Sequence, residues 1–186
     1  NEAFAGENGF IRLSADSTHF VNDAGPIRFW AIGGGGLVRG HDPELTDEDL
    51  AVYARFLAKM GVNMIRYHGE MFATTQEITT PNMEEADYIW RVVAAMKKEG
   101  IYTTISPFWP AHIEFIPAAW ELGDYVGEID PWGLIYFNER FRNAYKSWVE
   151  YLYTEVNPHT GISLKDDPAV GLIQILNEDG VFFWTI

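Results

Sequence analysis

The chain reads as an α/β domain built from parallel βα units, and three observations predict it. Apolar runs that read as main strands begin near residues 27, 62, 101 and 170, and helical apolar spacing fills the stretches between them. Those helices carry start signals in Thr46, Asn82 and Asn138, and stop signals in Gly61 and Gly100. The last apolar run, residues 170–176, is nearly continuous, as in a sheet covered on both faces. Four such units suit either a small open sheet or the first half of an eight-stranded barrel. Gln174, a polar residue inside the last strand, favours the barrel, because the wall of a lumen can hold it. At 186 residues, a single domain over residues 1–186 is expected.

The elements follow in order. Residues 10–26 contain two apolar-rich runs split by Asn22-Asp23-Ala24-Gly25, whose residue types supply turn conformations. This predicts an N-terminal β-hairpin whose second arm continues as the first main strand over residues 27–32; the βα units occupy 27–186. That strand ends in Gly33-Gly34-Gly35-Gly36. Without a following Lys-Ser/Thr, or a G-x-G-x-x-G leading into a helix, these glycines read as a close-packed loop rather than a phosphate cradle. Asp47, Glu48 and Asp49 follow Thr46; a helix N-terminus accounts for the acidic cluster without calcium. Leu50, Tyr53, Phe56, Leu57 and Met60 recur at helical spacing. The second helix carries Ile89, Trp90, Val93 and Met96, and the third, from Asn138 to about Val156, carries Phe141, Ala144, Trp148 and Leu152. A long loop rich in aromatics and proline separates the third strand from that helix.

Composition narrows the ligand. Asp and Glu total 27 against 13 Lys and Arg, a net charge of −14, and no basic run occurs. This opposes nucleic acid and anionic membrane surfaces as partners. Aromatic residues make up 15% of the chain, enough to pack a core of large side chains or to stack flat neutral ligands such as sugar rings. The absence of cysteine removes disulfide and thiolate chemistry. No stretch approaches 18 apolar residues. The opening NEAFAGENGF, with neither Met nor a signal-peptide pattern, reads as a cut or processed end.

In βα folds the chemistry sits at the C-terminal ends of the strands. Those ends carry Arg66 and His68, then Ser106 to Trp109, with His112 in the same loop, then Asn177 and Glu178. Arg66 and His68 lie two apart and share a face, as do Glu178, Gln174 and Leu176. Arg66 at a strand end is placed to hold a carboxylate ionised. His68 and His112 read equally as hydrogen-bonded structural residues, and Trp109 as core or as a stacking platform. A carboxylate at the mouth of a buried strand is costly unless it is paired or its pKa is raised. The expectation for Glu178 is therefore a raised pKa, as a general acid needs. The plainer reading is that residues 177–180 form a polar turn.

Taken together, the hairpin leading into IRFWAIGG, then LAKMGVNMIRYHG, a third strand opening on an aromatic loop, and KDDPAVGLIQILNE resemble the first half of clan A glycoside hydrolases. The likeness is greatest to family 5, the cellulase and mannanase group, and covers residues 10 to 184. It implies the first four βα units of a (β/α)8 TIM barrel and retaining cleavage of a β-linked oligo- or polysaccharide. In the resembled family the Glu after Asn at this strand end is the acid/base, which implies that role for Glu178. It likewise implies that Asn177 contacts a sugar hydroxyl and that Arg66 supports the nucleophile. Cleft aromatics often stack sugars, which makes Trp109 and Trp184 candidates by position, beside His68 and His112. The family usually follows this Glu with Pro, where Asp179-Gly180 stands here.

A retaining glycosidase needs two carboxyl groups about 5–5.5 Å apart. Asp179, adjacent to Glu178 and so on the opposite face of the strand, does not qualify, and Glu70 lies in a loop beyond His68. The nucleophile is therefore expected outside these residues, in a remainder of the barrel that comes from missing sequence, a second copy or another chain; the 186 residues alone are expected to be inactive. No cofactor or metal is expected. A secreted or periplasmic location follows only from a polymeric substrate. Two alternatives stay open: a carbohydrate-binding or inactive barrel, and a metal-dependent barrel enzyme using His68, His112 and Glu178 as ligands, although H-x-H and H-E-x-x-H are absent.

Overall fold

The structure, a computed structural model, describes residues 2–34, 37, 45–128, 131–180 and 182. Two sheets follow one another along the chain. The first is antiparallel, with strands β1 (Arg12–Leu13), β2 (Phe20–Asn22) and β3 (Gly25–Ile27) in the order β1-β2-β3. The second is parallel, with β4 (Ala31–Gly33), β5 (Met64–His68), β6 (Tyr102–Ser106) and β7 (Val170–Ile173) in the order β4-β5-β6-β7. Between its strands run α1 (Asp47–Lys59), α2 (Met83–Lys98), the short α3 (Leu134–Phe137) and α4 (Glu139–Thr154). The α/β class with a parallel sheet is as the sequence predicts.

The N-terminal region departs from expectation twice. The hairpin forms as β2 and β3, turning where Asn22 faces Gly25, but β1 adds a third strand. The first apolar run is split by a turn in which the Asp16 carboxylate accepts from the hydroxyls of Ser14 and Thr18 and from the Thr18 amide. The second arm also does not run on into the parallel sheet. Trp30 N donates to Asn63 Oδ1 (2.7 Å) and Asn63 Nδ2 donates to Arg28 O (2.8 Å), so one side chain takes the backbone groups that a ladder would pair. The first parallel strand therefore starts at Ala31 instead of 27.

Helix ends form where capping chemistry places them. Thr46 and Asp49 close a reciprocal capping box, so the acidic cluster serves the N-terminus of α1. Met60 is the C-cap of α1, and Gly61 follows at φ +80°, a conformation costly for a side chain. Asn82 caps α2 through Glu85 N, and Asn138 caps α4 through Phe141 N. The apolar stripes of α2 and α4 bury every residue named for them above. The stripe of α1 is covered only in part. Leu50, Ala54 and Leu57 are buried, whereas Phe56 and Met60 remain 57% and 63% exposed, because the stripe is wider than the surface offered by the sheet and α2.

The main core lies on one face of the parallel sheet. Ile65 and Tyr67 of β5 and Ile105 of β6 pack with the buried residues of all three long helices. Alternation sends Met64 and Tyr102 to the opposite face, where they join Ala5 and Ala169 in a second cluster flanked by Ile11, Ile27 and Phe29. The N-terminal segment thus seals the N-terminal end of that face, and the C-terminal ends of the strands are left for the site. At the entry to β7, the buried Asp167 accepts from Lys97 Nζ (2.8 Å) and from Ala169 N (2.9 Å), which ties the strand to α2.

Coverage of residues 170–176 on both faces is not found. β7 ends at Ile173, and Leu172, Ile173 and Ile175 are exposed, Ile175 to 70%. β7 is the edge of the described sheet, and among the described residues no further strand pairs with it.

Candidate functional site

The parallel ladder sets the site. Arg66 stands in register with Thr104 on β6, and His68 with Ser106. These small neighbours let the long Arg66 side chain reach across β6 to the end of β7. Its Nε donates to Gln174 Oε1 (2.7 Å), and its Nη2 donates to Asn177 Oδ1. Gln174 Nε2 in turn donates to Leu176 O (3.0 Å) and to Asn177 Oδ1 (3.1 Å). The oxygen of Asn177 is thereby occupied by two donors, and the side chain, 3% exposed, is left with its amide hydrogens to offer. The expected carboxylate partner of Arg66 is not what the described residues supply. Both of its bonds go to amide oxygens, because Gln174 and Asn177 hold the adjacent positions.

Glu178 follows Asn177 but differs from expectation. The strand stops at Ile173, so the alternation that would align Glu178 with Gln174 and Leu176 does not extend to it. Glu178 is exposed, with its backbone in the left-handed region at φ +49°, a conformation that side-chain-bearing residues adopt at a cost. The desolvation expected of a strand mouth is absent, since the edge beside it is open. Neighbouring residues fix the turn instead. Tyr145 Oη of α4 donates to Ile175 O (2.5 Å), and the buried Asp179 accepts from Gly133 N (2.6 Å). Asp179 therefore clamps the loop before α3 to the loop after β7.

A second group of side chains gathers at the ends of β5 and β6. The rings of His68 and Trp109 lie 5.2 Å apart, and those of Trp109 and His112 4.8 Å apart. His68 Nδ1 and Trp109 Nε1 are buried with no hydrogen-bond partner among the described residues, two polar atoms of the kind a polar ligand satisfies. Burial first, then the charges of Arg66 and His112, push the His68 imidazole down from 6.5 to about 4. His112 Nδ1 sits 3.1 Å from Glu70 Oε1, within ion-pair range but outside hydrogen-bond geometry. Arg66 joins the two groups, bonding to the β7 end while its charge reaches His68.

The loop that carries Glu70 is pinned by α2. Asn82 Nδ2 donates to Glu70 O (3.1 Å) and Phe72 O (3.2 Å), and the buried Glu85 accepts from Tyr67 Oη (2.9 Å). At the other edge of the site, Gly34 N donates to Arg66 O (2.7 Å). A Cβ on Gly34 would lie 2.8 Å from that oxygen, so glycine is required there by close approach. Gly35, Gly36 and Trp184 lie outside the described residues.

Among the described residues no three His, Asp or Glu side chains converge as a metal-binding group, so His68, His112 and Glu178 are not brought together as ligands. Sequence reading missed Asp179 and Asn82 as supports of the site. Asp179 gave no signal, because its partner is a backbone amide 46 positions away. Asn82 was visible only as a helix cap. No helix among the described residues is long and apolar enough to cross a membrane.

No family model matches the chain, and no curated protein matches it by sequence. Solved structures do. An endo-1,4-β-mannanase from Rhizomucor miehei is 14% identical with a TM-score of 0.64, over 91% of this chain and 48% of that one. A glycoside hydrolase family 5 mannosidase from the same organism is 17% identical with a TM-score of 0.66, over 92% and 49%. An endo-β-1,4-mannanase from Thermotoga petrophila is 15% identical with a TM-score of 0.56, over 80% and 35%. These structural neighbours, two mannanases and a family 5 mannosidase, share this fold across most of the chain. The chain spans about half the length of the Rhizomucor structures it resembles.

Proposed function

We propose that the chain is the first four βα units of a (β/α)8 barrel, and that the completed barrel is a retaining glycoside hydrolase acting on a neutral β-linked polysaccharide. The observation that carries this is the bonding of Arg66 to Gln174 and Asn177. It fixes Asn177, and with it Glu178, at the C-terminal end of a parallel sheet, where βα enzymes act. Two features support the barrel. The strand order runs β4-β5-β6-β7 without reversal, and the long helices all pack on one face, unlike a doubly wound sheet. Neighbours described as mannanases and as a mannosidase support the substrate class.

In this reading Glu178 protonates the departing glycosidic oxygen as a carboxylate on the facing wall attacks the anomeric carbon. Glu178, now ionised, then takes a proton from water as that water displaces the carboxylate and releases the sugar with its original configuration. Asn177 donates a hydrogen bond to a ring hydroxyl, and Arg66 orients Asn177. His68 remains neutral and meets hydroxyls as donor or acceptor; Trp109 presents a ring to a sugar face. The second carboxylate comes from the remainder of the barrel, and a polymeric substrate suits a secreted or periplasmic enzyme.

The test is release of reducing ends from neutral β-1,4-mannan or β-glucan by the assembled barrel, with and without chelator. Hydrolysis unaffected by chelator is expected. Tight binding of oligosaccharide with no release would make the protein a carbohydrate-binding barrel instead, and loss of activity on chelation would point to a metal enzyme.

A further inference from the structure

Glu178 is an exposed residue held between two buried ones. Before it, the side-chain oxygen of Asn177 is bound by Arg66 and by Gln174 Nε2 (3.1 Å). After it, Asp179 Oδ1 accepts from Gly133 N (2.6 Å), a charge-assisted bond between buried groups 46 positions apart. Glu178 itself stands at φ +49°, where a side chain is costly, and a residue released there relaxes toward negative φ. Its conformation is set by the two peptides that flank it, so both must be held for its carboxyl to keep one place.

The partner of Asp179 is itself anchored. Gly133 is the N-cap of α3, at φ +73°, and Leu134 and Ile135 after it are buried in the main core. Leu134 N donates to Pro131 O (3.0 Å) and Tyr136 N to Gly133 O (3.1 Å), so overlapping turns fix the peptide that carries the donor. The Asp179 charge also reaches Tyr136 on α3: burial first, then Asp179, push that phenol above its ordinary range. Through Asn138, α3 runs into α4, whose Tyr145 Oη donates to Ile175 O (2.5 Å). The turn that carries Glu178 is thus fastened to α3 and α4 at residues 175 and 179.

We propose that Asp179 is a positioning residue for Glu178: its bond to Gly133 holds the peptide after Glu178, as Arg66 holds Asn177 before it, and this two-sided grip keeps the carboxyl at the reacting bond. The proposal rests on the reading of Glu178 as acid/base and adds how that group is kept in place. It also couples the loop that ends at Gly133 to the reaction, because a shift of that loop pulls on the peptide next to Glu178.

The experiment compares Asp179→Ala, Asp179→Asn, Gly133→Ala and Glu178→Gln in the assembled barrel, on a β-linked oligosaccharide and on a dinitrophenyl glycoside, whose leaving group needs no proton. Asp179→Asn keeps an oxygen that accepts from Gly133 N, and Asp179→Ala does not. In Gly133→Ala the added Cβ meets nothing within 4 Å, but the positive φ is strained, so the donor end is disturbed without a clash. The expected result for Asp179→Ala is a kcat about 10²-fold lower on the oligosaccharide, the effect of a misplaced group, with KM little changed and the first step on the dinitrophenyl glycoside nearly intact. Asp179→Asn should recover most of the rate, and adding Gly133→Ala to Asp179→Ala should cost nothing more, since both act through one bond. A wild-type rate in Asp179→Ala, or equal loss on both substrates, overturns the proposal. Asp179→Asn as slow as Asp179→Ala overturns the bond to Gly133 as the means. Should Asp179→Ala fail to fold, Gly133→Ala decides by the same split between substrates. Glu178→Gln separates the two readings: a loss confined to the oligosaccharide keeps the acid/base reading whatever Asp179 does, and no loss removes that reading and the proposal together.

Discussion

His68 shows how a single side chain reports on the site. One ring nitrogen is buried without a partner among the described residues, the Arg66 guanidinium stands two residues away on the same face, and the His112 ring lies beyond Trp109, with Glu70 next to it. Desolvation, Arg66 and His112, in that order, hold its pKa at about 4, against an ordinary 6.5. The sign follows by linkage. Between about 6.5 and about 4 the unfolded chain takes up a proton that the folded chain refuses, so stability falls as pH drops through that window and levels off below it. Above 6.5 the group contributes no pH dependence. An NMR titration of the His68 ring should therefore find it neutral at pH 5.5, and His68→Asn should flatten the stability profile between pH 4 and 6.5. A midpoint near 6.5 would contradict the burial described. The sequence singled out Asn177 and Glu178 as candidates because an apolar run ended on an amide and a carboxylate. That the amide oxygen is bound by Arg66 was not legible, since the two residues stand 111 positions apart and meet only across β6.

At the level of elements, the N-terminus of α2 does two jobs with one residue. The Asn82 side chain caps the helix through Glu85 N, and its amide hydrogens hold the carbonyls of Glu70 and Phe72, which shape the loop after β5. Asn82→Ala should cost about 1–2 kcal/mol, the upper end of a capping loss because the loop carbonyls lose their donor too. Urea denaturation measures it, and a change below ~0.5 kcal/mol would mean that the loop holds itself. Helices were the legible elements: periodicity and caps fixed α1, α2 and α4 to within a few residues, because local chemistry decides where a helix begins. The strands were less so. β4 starts late because Asn63 takes over the backbone of residues 28–30, and β7 stops early where Gln174 turns its side chain to Leu176 O and Asn177. Both are long-range side-chain effects with no local signature.

Among the described residues the parallel sheet is covered on one face and ends at an exposed edge strand. All three long helices cover one face of the parallel sheet, the N-terminal segment closes the end of the other face, and β7 presents Leu172, Ile173 and Ile175 to solvent. A glycosidase site needs a facing wall, both for its second carboxylate and to strip water from Glu178. The proposed closure into a barrel rests on family resemblance, since no described residue states what a facing wall would carry. In the proposed reading the chemistry of Glu178 belongs to a completed barrel, and the most direct test compares two leaving groups there. Glu178→Gln is assayed in the assembled barrel against a β-linked oligosaccharide, whose departing oxygen needs a proton, and against a dinitrophenyl glycoside, whose leaving group does not. The account predicts a loss of about 10²–10⁴-fold on the oligosaccharide, the usual contribution of a general acid, with the first step on the dinitrophenyl glycoside nearly unchanged. Equal loss on both substrates, or none on either, would contradict the assignment of Glu178 as the acid.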